Sequence, residues 1–170
     1  YLPDGPEGPE VHTPDVFKKI YQVVKDSGYV GATMPTQYGG GGAPFTTAIL
    51  AGEVGIASNM AFYMGPGLSQ GAIKAILKKA SKELKDKYLP KMIAGEWMGT
   101  MCLTESQCGT DLGLIRTTAT PEEDYFKLNG QKIWISFGEH DLTENIIHLV
   151  LARLPDAPEG IKGISLFLVP

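Results

Sequence analysis

Up to about Glu96 the apolar positions recur at helical spacing, and beyond it they alternate or run in β-branched blocks. The pattern divides the chain into a helical unit, residues 1–95, and a strand unit, residues 96–170. Tyr1 to Glu10, rich in Pro and Gly, reads as an extended loop. A helix follows, with Thr13 as N-cap, Pro14 in its first position and Gly28 at its stop. Val16, Phe17, Ile20, Tyr21, Val23 and Val24 form its expected buried face. The glycines from Gly39 to Gly42 exclude helix and imply a loop with close backbone contacts. Helical spacing returns with Phe45, Ile49, Gly52 and Ile56, then with Leu68, Ala72, Ile73, Ile76 and Leu77. It returns last with Leu84, Tyr88 and Leu89, where Pro90 should end or kink the helix. About four helices result.

The strand unit is expected to hold Trp97–Thr104, Ile115–Thr120, Tyr125–Leu128, Lys132–Phe137, Ile146–Ala152 and Ile164–Val169. Asn129-Gly130 is a strong hairpin signal between the third and fourth of these. The fold class is therefore α+β, a helical domain followed by an incomplete antiparallel barrel or sandwich. Both ends read as cut, since a strand-like run stops directly at Pro170 and leaves an uncovered edge.

Composition narrows the partners. A net charge of −4 argues against nucleic acid, although backbone N–H groups hold phosphates without basic residues. The runs Ile146–Ala152 and Ile164–Val169 are too short to cross a bilayer, and no basic-then-apolar leader opens the chain. Cys102 and Cys108 read as reduced thiols, consistent with a cytoplasmic protein. His12, His140 and His148 are scattered, so no metal site is expected.

Two stretches carry candidate chemistry. In Leu103-Thr104-Glu105-Ser106-Gln107-Cys108-Gly109-Thr110-Asp111, a strand is expected to give way to a loop. Thr104 offers a hydroxyl there, and Gly109 and Thr110 offer unobstructed N–H groups. A plain turn explains the same residues. In Lys132-Ile133-Trp134-Ile135-Ser136, alternation would put Trp134 and Ser136 on one face, an indole beside a small hydroxyl suited to an aromatic cofactor ring. A Trp covering the barrel surface explains it equally.

In this order the two stretches resemble the acyl-CoA dehydrogenase family. That family carries T-E-x-x-x-G-[ST]-D at a strand end and, downstream, an N-G-x-K-x-[WY]-I-[ST] segment, here Asn129 to Ser136. Pro35, Tyr38-Gly39-Gly40, Tyr88-Leu89-Pro90 and Gly95-Glu96 resemble its helical domain. Gly138 to Asn145, Leu154 to Pro158 and Gly163 to Phe167 look like the branch containing the 3-methylmercaptopropionyl-CoA dehydrogenases. Cys108 and Ser106 depart from the family, which usually has a small residue and a proline at these places.

The resemblance implies FAD. Thr104, with the Leu103 backbone close by, would meet the pyrimidine side of the flavin. Gly109 and Thr110 would approach the pyrophosphate, Trp134 would pack along the ring, and Ser136 would bond near its N5 edge. It implies an acyl-CoA substrate, an electron-transfer flavoprotein as electron acceptor and a homo-oligomer. The proton-abstracting carboxylate is expected in a C-terminal helical domain absent here, so no catalytic residue is assigned and the chain alone is expected to be inert. Glu105 and Asp111 then read as structural. A Ser136, His140 and Asp141 nucleophile set has no supporting context. Other readings are a flavin oxidase or monooxygenase of the superfamily, a DNA-binding flavin relative disfavoured by the acidic balance, and an interaction module without cofactor.

Overall fold

The computed structural model describes residues 11–170; the loop expected over residues 1–10 lies outside them. Helix α1 spans Asp15–Asp26, with Pro14 as its N-cap, one position later than expected. Ser27 closes it, and Gly28 follows in the left-handed region at φ 69°. Only part of its expected buried face is buried. Tyr21 is enclosed, its hydroxyl donating to the Gly95 carbonyl at 2.8 Å, with Phe17 and Val24 packed alongside. Val16, Ile20 and Val23 form the neighbouring stripe and are exposed. Residues one position apart on a helix point about 100° apart, so both stripes cannot meet the same neighbour. Ile20 and Val23 instead border a groove of about 550 Å³, lined opposite by Ala51, Val54 and Ser58.

The next helical runs form one element, α2, at Phe45–Lys79, interrupted at Asn59 (φ −160°, ψ 94°). The Asn59 side chain accepts the Phe62 N–H at 3.0 Å, capping the segment beyond the break. By length and composition α2 could cross a membrane, but beyond the break it sends Ala72, Ile73 and Ile76 into the core. Helix α3, Lys82–Ile93, is capped by Ser81, whose hydroxyl accepts from Leu84 N–H. It runs through Pro90 rather than ending there. Its last turn buries Leu89, Met92 and Ile93, which offsets the missing proline hydrogen bond.

The sheet comprises β1 (Trp97–Cys102), β2 (Thr118–Pro121), β3 (Phe126–Asn129), β4 (Asn145–Arg153) and β5 (Ile164–Val169). The helices-then-strands order matches the α+β expectation, but the pairing is mixed rather than antiparallel. β4 pairs antiparallel with β5 and parallel with β1, from Trp97 opposite Asn145 to Cys102 opposite Val150. β2 meets β4 in parallel where Thr118 faces Arg153. Because β5 occupies the other edge of β4, β1 and β2 lie in tandem along one edge. The chain between them bulges outward. The expected hairpin around Asn129-Gly130 is absent: β3 pairs back with β2, and Lys132–Phe137 is not a strand.

Two close approaches join the layers. Gly99 in β1 lies under α2 and α3, where a Cβ would sit 2.6 Å from that of Ala72. In the glycine loop, Gly41 N–H donates to Gly31 C=O, Gly42 N–H to Met34 C=O and Ala43 N–H to Ala32 C=O, as the loop expectation required. A Cβ on Gly40 would lie 2.2 Å from the Met34 carbonyl oxygen, which is backbone and cannot swing aside. Gly40→Ala is therefore expected to cost about 1–3 kcal/mol, typical of overpacking, read as a lower urea midpoint with an unchanged slope.

Candidate functional site

The bulge between β1 and β2 is held shut at its base by the carboxylate of Glu105, which is only 4% exposed. One oxygen accepts from the Thr117 hydroxyl (2.6 Å), the Thr117 N–H (3.1 Å) and the Lys132 ammonium (2.8 Å). The other accepts from the Arg116 N–H (2.8 Å) and the Gln107 amide (2.6 Å). Burial by itself raises this carboxyl, but the Lys132, Thr117 and backbone donors outweigh it and hold it at about 2. Glu105 and Cys108 also exchange backbone bonds, tightening the turn that carries Gln107. Arg153 braces the far side: Nε donates to Ile115 C=O at 2.9 Å and a terminal nitrogen to Gly113 C=O at 2.8 Å. Asp111 accepts the Gly113 N–H at 3.1 Å, so its carboxylate too is engaged within the loop.

The two candidate stretches meet. Ile133 N–H donates to Thr104 C=O at 3.0 Å, and Lys132 Nζ donates to Leu103 C=O at 3.0 Å as well as to Glu105. Thr104 and Gly109 are partly accessible and Thr110 is exposed. Gly109 lies close to Thr104, since a Cβ there would meet the Thr104 methyl at 3.8 Å.

Trp134 does not sit on a strand face. Its backbone lies in the left-handed region, φ 55°, as does that of Phe137 at φ 54°. Bulky residues rarely adopt that conformation, at a cost of order 1–2 kcal/mol. The indole is 87% exposed, so its own burial does not offset that cost. Ser136 is half-buried in the same segment, but the alternation expected to align it with Trp134 does not exist. Phe137 instead turns inward against Gly65 of α2, and Phe62 and Met98 complete that cluster.

His140, Asp141 and Ser136 form no relay. Asp141 accepts from Thr13 N–H at 3.0 Å and pairs with Lys18 at 2.6 Å, tying the start of α1 to this loop and holding its carboxyl well below the usual range. His140 is buried, and its Nδ1 accepts from Leu142 N–H. No cluster of metal-binding side chains occurs among the described residues, and both cysteines are free thiols. Motif spacing marks Glu105 as structural but does not identify its donors Lys132 and Thr117, nor Arg153, which braces the loop through its carbonyls. Lys132 was legible as a motif position, but nothing in the spacing identified Arg153.

These features sit in a chain of a defined class, a helical unit packed on a mixed sheet whose outward loop and aromatic segment converge. Residues 7–96 match the family model described as acyl-CoA dehydrogenase, N-terminal domain, and residues 100–170 match the acyl-CoA dehydrogenase middle domain. The chain belongs to the acyl-CoA dehydrogenase family. It is 46% identical to the 3-methylmercaptopropionyl-CoA dehydrogenase of Ruegeria pomeroyi, covering 96% of this chain and 28% of that protein. It is 39% identical to a butyryl-CoA dehydrogenase of Syntrophomonas wolfei, covering 98% of this chain and 27% of that one. Among solved structures, butyryl-CoA dehydrogenase from Megasphaera elsdenii superposes with a TM-score of 0.78 at 26% identity, over 94% of this chain and 40% of that chain. An acyl-CoA dehydrogenase complexed with FAD from Bacillus anthracis gives 0.76 at 27% identity, over 91% and 25%. The chain thus spans under a third of the length of those two curated relatives.

Two outcomes follow from the geometry. With its carboxyl lowered from 4.5 to about 2, Glu105 contributes stability that is complete above the unfolded value and disappears as pH falls through the folded one. Glu105→Gln is therefore expected to be less stable than the parent by a few kcal/mol at neutral pH. The gap between their urea midpoints should close between pH 4.5 and 2. Trp134→Asn should leave stability unchanged or raise it by up to about 1 kcal/mol, because Asn tolerates the left-handed region; thermal unfolding checks this.

Proposed function

We propose that this chain supplies part of the FAD-binding wall of an acyl-CoA dehydrogenase when extended to the length of its relatives. The observation that carries the reading is the meeting of the Thr104 loop with the Trp134 segment, one offering hydroxyl and N–H donors, the other an exposed indole held in a costly backbone conformation. An unpartnered aromatic plane beside accessible donors fits a flat, polar-edged ring. Thr104, with Leu103 behind it, would address the pyrimidine edge; Gly109 and Thr110 the pyrophosphate; Trp134 the face of the ring; Ser136 the neighbourhood of N5.

Bound FAD would supply the hydride acceptor for α,β-dehydrogenation of an acyl-CoA thioester. The residues present orient and enclose rather than abstract a proton. Glu105 is saturated by internal donors and Asp111 caps its own loop, and the family resemblance puts the base outside residues 1–170. The likeness to the Ruegeria protein favours 3-methylmercaptopropionyl-CoA as substrate. A cytoplasmic setting, a homo-oligomer and an electron-transfer flavoprotein as acceptor belong to the same proposal, and the chain alone is taken to be inactive.

The test is titration of FAD against the extended protein, followed by flavin fluorescence and visible absorbance. Saturable binding is expected, weakened at least tenfold in Thr104→Ala with Trp134→Ala. Addition of 3-methylmercaptopropionyl-CoA should then bleach the flavin more completely than butyryl-CoA does. No FAD binding by the parent protein overturns the reading, and bleaching by butyryl-CoA alone overturns the substrate.

A further inference from the structure

The Glu105–Lys132 pair is almost wholly enclosed, with the two side chains 4% and 11% exposed. A buried ion pair is a poor stabiliser, because the desolvation of two charges consumes most of their attraction. Closing the loop requires less than this pair provides: Thr117, Arg116 and Gln107 already bind the carboxylate. What Lys132 adds is direction. Gln107 also bridges the carboxylate to a carbonyl, that of Leu114 within the loop, whereas Lys132 bridges it to the carbonyl of Leu103, which adjoins Thr104.

That second bond constrains the candidate site. The Leu103–Thr104 peptide is trans, so its C=O and N–H point in opposite directions across one rigid plane. With Leu103 C=O drawn to Lys132, the Thr104 N–H faces away from the ion pair. The next carbonyl, that of Thr104, is fixed by Ile133 N–H. The peptide planes on both sides of Thr104 are therefore set by Lys132 and its neighbour. The pair also places an ammonium and a carboxylate, 2.8 Å apart, directly behind the residue proposed to meet the ring. Their charges cancel only while both are present, and in a poorly solvated site an uncancelled charge acts over longer range than it does in water.

We propose that Glu105 and Lys132 are a positioning pair for the flavin. Lys132 aims the Thr104 N–H at the pyrimidine edge, and Glu105 neutralises the ammonium that does so, leaving the flavin's reduction potential set by a balanced pair. The inference rests on the FAD reading above. A clamp that only holds the loop predicts the same response to loss of either partner. A balanced pair predicts opposite responses. An uncompensated ammonium favours the reduced, more negative flavin, and an uncompensated carboxylate disfavours it.

The test uses the FAD-loaded extended protein and measures the midpoint potential of the flavin by spectroelectrochemical titration, alongside the Kd for FAD. Glu105→Gln should shift the potential upward and Lys132→Gln downward, while Lys132→Arg, which keeps the charge, should stay near the parent. Shifts of the same sign, or no shift in flavin-loaded variants, overturn the proposal. If either single variant fails to hold flavin, the paired Glu105→Gln/Lys132→Gln variant decides, since it leaves no unbalanced charge. It should retain FAD at a potential near the parent's but with several-fold weaker affinity, because Thr104 is no longer aimed. Parent-like affinity in that variant, or failure to bind FAD at all, overturns the proposal. Absence of FAD binding by the parent itself is a different result and counts against the FAD reading.

Discussion

A single buried carboxylate determines how the strand unit is closed. Glu105 gathers donors from its own turn, from the strand approach at Arg116 and Thr117, and from Lys132 far along the chain. These bonds turn the stretch after β1 into a closed loop whose ends are both anchored to β4. Without them the excursion between two strands sharing one edge would carry unpaired backbone groups in a buried place, at about 1–3 kcal/mol each. The carboxylate's low pKa is the electrostatic record of that arrangement. Lys132 extends the same network to the segment that carries Trp134, so loop closure and the approach of the two candidate stretches are one event.

The sheet makes this possible through its mixed pairing. β4 is the central strand, flanked by β5 on one edge and by β1 and β2 in tandem on the other. A parallel pair needs a long crossover between its strands. Here the chain from Leu103 to Glu144 is that crossover, and it contains the β2–β3 hairpin and both candidate stretches. Side chains on the helix-facing side of β4, such as Ile147 and Leu149, are covered by α2 and α3. That leaves the crossover to carry chemistry.

Trp134 illustrates the cost of such placement. Its left-handed backbone and exposed ring are unfavourable taken singly, and neither is offset by packing of the indole itself. The compensation lies next door, where Phe137 turns into the Phe62 and Met98 cluster and Ile133 bonds to Thr104. Strain supported by neighbours and unrelieved by the residue's own contacts is the pattern found where a surface is kept ready for a ligand.

Much of this was legible in the sequence. The change of period near Glu96 gave the division into helices and sheet, the glycine run gave a loop in close backbone contact, and the runs before Arg153 and Val169 gave β4 and β5. Each depends on local spacing, and local spacing is what sequence carries directly. The paired motifs gave the family and, through it, the candidate site residues. Other features depended on partners distant in the chain. Asn129-Gly130 has hairpin chemistry, yet β3 pairs backward with β2, because the Lys132 segment is drawn off by Glu105 and Leu103. Pro90 lies inside a helix because the turn beyond it is buried. Val16 and Val23 face outward because α1 presents its other stripe to Gly95 and Phe62. Periodicity tells that a side chain is apolar and which neighbours share its face. Only tertiary structure decides which face finds a partner, and which lysine reaches a buried carboxylate.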